Sequence, residues 1–159
     1  MADARWSVLE RYRDATTANL ALAIPIWDGR DWTKAEGDLA TEEKVFQKAQ
    51  QDAYSTFEQA ALYILKISDE IRPDGERWHE QLLLTVTAAS DSRPAFAPHL
   101  WKPLQQLRRF RHVAMDAYLD FEMRQADHTV EAARRLLAKL PPAFDAFGRA
   151  FGLLMPQPE

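Results

Sequence analysis

The stretch from Thr41 to Gly75, TEEKVFQKAQQDAYSTFEQAALYILKISDEIRPDG, decides the fold. Its apolar residues Phe46, Ala49, Ala53, Phe57, Ala60, Ile64, Ile67 and Ile71 step by three or four, which aligns them on one face of a long helix. Thr41 reads as the cap of that helix. Glu42 and Glu43 suit the positive end of its dipole, and Pro73-Asp74-Gly75 reads as the stop. A stripe of this length needs apolar partners on every side, so the segment is expected to be the central helix of a bundle.

Outward from it, the pattern stays helical, and no segment alternates with the period of two that marks a half-buried strand. Asp3 to Ile24 reads as a first helix, with Leu9, Tyr12, Thr16, Leu20 and Ala23 on one side and Pro25 ending it. A loop carrying Asp28-Gly29 and Gly37 follows. Beyond the Pro73 turn, Asp74 is expected to cap a shorter helix with Trp78, Leu82, Leu83 and Val86, fading by Ser90-Asp91-Ser92. Arg93 to Pro98 is a connector. A fourth helix is expected from about Leu100 to Met123, with Pro103 tolerated in its first turn. A fifth begins near Asp127, and Pro141-Pro142 is expected to break or kink it before Phe144 to Leu154. The expected fold is all-α: an antiparallel up-and-down bundle of about five helices forming one domain over residues 1–159.

Length and composition narrow the function. One core is the default for 159 residues. Cysteine is absent, and His79, His99, His112 and His128 stand apart, so neither disulfides nor a metal centre is expected. Glu76-Arg77-Trp78-His79 is a single Glu-x-x-His match, where a two-metal bundle needs two; His79 reads as a packing or hydrogen-bonding residue. The first residues, Met1-Ala2-Asp3-Ala4-Arg5-Trp6, lack a signal-peptide pattern, and no apolar run reaches membrane length, which gives a cytoplasmic expectation. A net charge of −4 speaks against a generally basic nucleic-acid coat but allows a local basic patch.

That patch is Leu107-Arg108-Arg109-Phe110-Arg111-His112-Val113-Ala114-Met115-Asp116-Ala117-Tyr118, with His99 and Lys102 just upstream. At 100° per residue, Leu107, Phe110, Ala114, Ala117 and Phe121 form the core stripe. Arg111 and Tyr118 lie along its edge, and Arg109, His112, Asp116 and Asp120 fall on the polar side. An arginine at the margin of an apolar stripe either reaches water or finds an anion, and its planar fork suits phosphate. The plainer alternative is a helix contact or an ion pair with Glu80 or Glu122. His112 and Asp116, four apart, also fit a surface pair, and Arg108 and Arg109 solvated charges.

Arg111, four intervening residues, Asp116, one residue and Tyr118 resemble the Arg-x4-His-x-Tyr motif of HepT-like HEPN toxins, with aspartate at the histidine position. Trp78-His79-Glu80-Gln81-Leu82-Leu83, Arg93-Pro94 and Leu107 to Val113 are similar to the same family, so the resemblance runs from roughly Tyr54 to Phe121. It implies a metal-independent endoribonuclease without cofactor, acting as a homodimer whose motif helices meet at the two-fold axis. Arg111, Asp116 and Tyr118 would be the catalytic set, with Arg108, Arg109 and His112 binding RNA such as tRNA. The resemblance also implies a minimal nucleotidyltransferase antitoxin, and Tyr118 matches the tyrosine that such a partner modifies with AMP.

Asp116 changes the expected chemistry. Histidine near pH 6.5 both accepts and donates protons at neutral pH, whereas aspartate, ordinarily near 3.9, stays ionised and repels phosphate. Weakened or absent catalysis follows, whether Asp116 is natural or an engineered inactivation, unless another acid–base group serves. The competing class is a non-catalytic helical dimer that binds RNA or protein, for which connector-side Trp27, Trp32 and Trp101 offer aromatic surface, although such residues more often close the ends of a core.

Overall fold

The computed structural model describes residues 3–34, 40–116, 126–156 and 158, with the backbone alone at 40 and 112–116. Among the described residues, five α-helices make the architecture: α1 (Ala4–Asp28), α2 (Ala40–Ile67), α3 (Trp78–Val86), α4 (Trp101–Asp116) and α5 (Asp127–Ala150), with a 3-10 turn at Pro98–Leu100 leading into α4. There is no strand among the described residues. The bundle is all-α, as the periodicity predicts.

The four long helices form a ring in which α1 touches α2 and α5, and α4 touches α2 and α5, while α3 packs across α2 and α4. Side-chain contacts fix the directions. Thr16 meets Thr56 at 2.9 Å while Phe46, ten residues earlier in α2, clusters with Ala23 later in α1. Arg13 bonds Asp145 and Arg134 bonds Asp28, so α1 and α5 are antiparallel as well. Trp6 lies against Gly148, where a Cβ would come within 2.5 Å of the indole ring; a larger residue there would push α1 off α5.

The interior has two parts. The larger contains Leu9, Phe57, Ile64, Leu83, Phe96, Leu104, Leu136, Phe144 and their neighbours, all buried. Phe96 sits between Phe57 at 5.9 Å, Phe144 at 4.8 Å and Phe147 at 5.4 Å, so the connector before α4 supplies a central aromatic anchor. The smaller part, Ala23, Phe46, Ala49, Phe110, Ala126 and Val130, closes the opposite end, with Trp27 packed on Phe46. Trp32 meets Trp27 edge to face and is partly exposed, as is Trp101.

Several boundaries differ from expectation. Helix α1 continues through Pro25 to Asp28: Ile26 and Trp27 pack on the smaller core, and the Gly29 N–H returns to the Pro25 carbonyl at 2.9 Å, so tertiary burial outweighs one lost helical bond. Thr41 lies inside the first turn of α2 rather than capping it. That helix stops at Ile67, before the Pro73 turn. Asp69 adopts a left-handed conformation, with φ 56°, and the Glu70 N–H bonds the Leu65 carbonyl while the Asp69 N–H bonds that of Lys66. Ile71 is therefore outside the stripe and 93% exposed. Asp74 does not cap α3, whose first residue follows Arg77.

Pro141 and Pro142 stand inside an unbroken α5. Leu140, Ala143, Phe144 and Phe147 continue one buried stripe across them, while Ala138 and Pro142 lie on the exposed side, where a freed carbonyl meets water. The expected end of α4 at Met123, together with Ala117, Tyr118, Asp120, Phe121 and Glu122, lies outside the described residues, as does Gly37.

Candidate functional site

Helix α4 is set in the bundle by Leu104, Leu107 and Phe110, which are buried, and by Phe110 against Phe46 at 5.9 Å between ring centroids. Gln105 is buried beside them. This anchoring decides where the arginines go. Arg109 projects to solvent. Arg108 is half-buried and donates from Nε to Gln105 Oε1 at 2.6 Å. Arg111, also half-buried, places its guanidinium 5.7 Å from the centre of the Tyr54 ring on α2. Neither Glu80 nor any other carboxylate of the described residues forms an ion pair with Arg111; its contact with Tyr54 is a helix-to-helix one, and Glu122 lies outside the described residues.

Tyr54 is fully buried, and its hydroxyl lies beside Glu58, close enough to interact with the carboxylate but outside strict hydrogen-bonding geometry. Burial holds the phenol well above its ordinary range, the negative charge of Glu58 adds to that, and Arg108 and Arg111 draw it partly back. It is a neutral phenol at every physiological pH. Glu58, one turn along α2, is itself 5% exposed at the side chain, and its Oε2 stands 2.5 Å from Nδ1 of His79 on α3. His79 stacks on Trp78 at 3.6 Å, and Arg72 covers the Trp78 ring at 4.4 Å.

Arg108, Arg111, Tyr54, Glu58 and His79 thus form one polar seam where α2, α3 and α4 meet. Of the residues expected to act, the structure brings Arg108 and Arg111 to this seam and leaves Arg109 in solvent. His112 and Asp116 lie on the described backbone of α4 without described side chains, and Tyr118 is outside the described residues. Helical geometry separates positions 111 and 116 by about 140° on α4.

Sequence reasoning missed Tyr54 and Glu58, and read His79 only as packing. A signal was present: Tyr54, Glu58, Ala61 and Leu65 are spaced by four, three and four, a second buried stripe on α2 with a carboxylate in its middle. A glutamate in such a stripe requires a buried cationic or hydrogen-bonding partner. Among the described residues, no three histidine or acidic side chains gather to hold a metal ion, and no helix is long and apolar enough to cross a membrane.

The family model for HepT-like proteins matches residues 45–151, which spans α2 from its first turns to the end of α5 and includes the whole polar seam. The chain belongs to the HepT-like family. The match is wider than the stretch from Tyr54 to Phe121 that carries the resemblance in sequence, and it brings the α5 side of the smaller core into the shared domain. No curated protein and no solved structure matches this HepT-like chain significantly.

Proposed function

We propose that this HepT-like protein is a HEPN-type, metal-independent endoribonuclease of a toxin–antitoxin module, attenuated by aspartate at position 116. The observation that carries the reading is Arg111: it is half-buried, seated on an aromatic face and committed to no carboxylate of the described residues. An arginine held in this way keeps its fork for an incoming anion, and the planar guanidinium suits phosphate. Arg108 stands three residues away in the same seam. Arg109 and His112 would extend contact along the RNA backbone.

In this reading the ribose 2′-hydroxyl attacks the adjacent phosphorus, and Arg111 stabilises charge on the phosphoryl oxygens. Asp116 stands where the family-like pattern has its proton-transfer histidine, and an ionised carboxylate there opposes the phosphate. Because residues 111 and 116 diverge on one helix, a homodimer with α4 from each protomer beside the axis would supply convergence. A minimal nucleotidyltransferase antitoxin modifying Tyr118 with AMP would then block the same cleft with bulk and charge. The cytoplasm, where RNA such as tRNA is available, is the fitting compartment.

Cleavage of total tRNA in the presence of chelator tests the reading. Asp116→His is expected to increase cleavage strongly, and Arg111→Ala in that background is expected to abolish it. Equal cleavage by both variants would remove Arg111 and position 116 from the mechanism. RNA affinity is expected to fall steeply with salt, because phosphate contacts release counterions.

A further inference from the structure

The pair Glu58–His79 is unused by the mechanism above, and its geometry is that of an oriented base. An ionised carboxylate only accepts, so the 2.5 Å contact favours the tautomer with its proton on Nδ1, in which Nε2 is the acceptor of the neutral ring. The Glu58 side chain is 5% exposed and the His79 side chain 32%, so the carboxylate is fixed inside while the ring keeps an open edge. Trp78 stacking on the imidazole restricts its rotation further. On the other flank of Glu58 stands Tyr54, whose ring carries Arg111.

We propose that His79, oriented by Glu58, is an acid–base residue of the RNA site, serving in place of the histidine that position 116 lacks; this rests on the ribonuclease reading. The phosphate would be held by Arg111 and Arg108, and the 2′-hydroxyl would face Nε2 of His79. As the O2′–P bond forms and the P–O5′ bond breaks, the hydroxyl proton passes to Nε2, the departing 5′ oxygen takes a proton from water, and the hydroxide so formed takes the proton back from Nε2. A 2′,3′-cyclic phosphate and a 5′-hydroxyl end result, with no change of oxidation state. Tyr54 is a positioning residue: its face sets the height of Arg111 and its neutral hydroxyl lies beside Glu58 without competing for charge.

The charged groups around His79 are of both signs. Glu58 faces it from α2, Arg108 and Arg111 border the seam from α4, Glu80 is its neighbour on α3, and Arg72 covers Trp78 from the preceding connector. A purely structural tie between α3 and α2 would also explain the contact. It predicts lower stability for a His79 variant and an unchanged rate of bond cleavage.

Single-turnover cleavage of tRNA by the full chain, with RNA affinity measured separately by anisotropy, distinguishes the two. The unmodified chain is expected to cleave slowly and leave cyclic phosphate ends. His79→Gln is expected to slow that cleavage by about a hundredfold at unchanged RNA affinity, and adding Asp116→His is expected to restore it. Should His79→Gln fold poorly, Glu58→Gln, which keeps a hydrogen-bonding oxygen, is expected to lower the rate in the same direction. An unmodified chain that binds RNA without cutting it, or a His79→Gln protein that cuts at the parental rate, would overturn the role of His79 while leaving the RNA-binding reading standing. A chain that binds no RNA would overturn both.

Discussion

Two arginines of this bundle meet contrasting surroundings. Arg93, in the connector before α4, is almost fully buried and saturated. Its Nε and Nη2 reach Glu70 at 2.6 and 3.4 Å, Nη1 donates to the carbonyls of Val86, Ala88 and Pro94, and Nη2 donates to that of Thr85. Arg111, on α4, has an aromatic face beneath it and no carboxylate among the described residues. A guanidinium with every donor engaged inside the protein has no capacity left for a ligand; one seated on a ring retains it. Burial and saturation both set the two apart, and saturation is the difference that bears on ligand binding.

The largest expected effect breaks the Arg93 side. Arg93→Ala removes a donor from the Thr85 and Ala88 carbonyls and leaves Glu70 without its cation, in a segment that positions Phe96 at the centre of the core. A loss of about 3–5 kcal/mol is expected from the urea midpoint. Arg111→Ala, by contrast, is expected to lower stability by less than about 1 kcal/mol, the scale of a cation–π contact, while RNA affinity falls. If the two variants lose similar stability, Arg111 is a structural residue and the proposed site loses its anchor.

The contrast also explains what was legible in the sequence. Periodicity alone locates all five helices, because a buried stripe repeats every three or four residues whatever its partners. The errors fall where tertiary contacts outweigh local signals. Pro25 and Pro141-Pro142 look like breaks, yet Trp27 on one side and Phe144 and Phe147 on the other draw helix through them. Ile71 fits the stripe in sequence, but the chain turns at Asp69 and Glu70 goes to Arg93. For the proposed site, Arg111 stands in a local motif that one stretch of sequence can display, while the family match over residues 45–151 bears on the family alone. The pairing of Glu58 with His79 spans two helices, and no local pattern encodes such a contact; only the carboxylate set in an apolar stripe hints that a partner exists.

The smallest expected effect sharpens the comparison from below. Tyr54→Phe removes a buried hydroxyl that lacks a partner of hydrogen-bonding geometry, leaving the ring beneath Arg111 in place. A buried polar group without a partner is destabilising, so the variant is expected to match the parent or gain up to about 1 kcal/mol in urea unfolding. Its RNA affinity should be preserved, because the aromatic face under the guanidinium is unchanged. A loss of about 1 kcal/mol instead would mean that the phenol donates to Glu58 in solution, which would make the seam a closed network like that around Arg93. The sign of this small change therefore decides whether Glu58 is free to serve His79 alone, and with it whether the seam is organised for a substrate or for the fold.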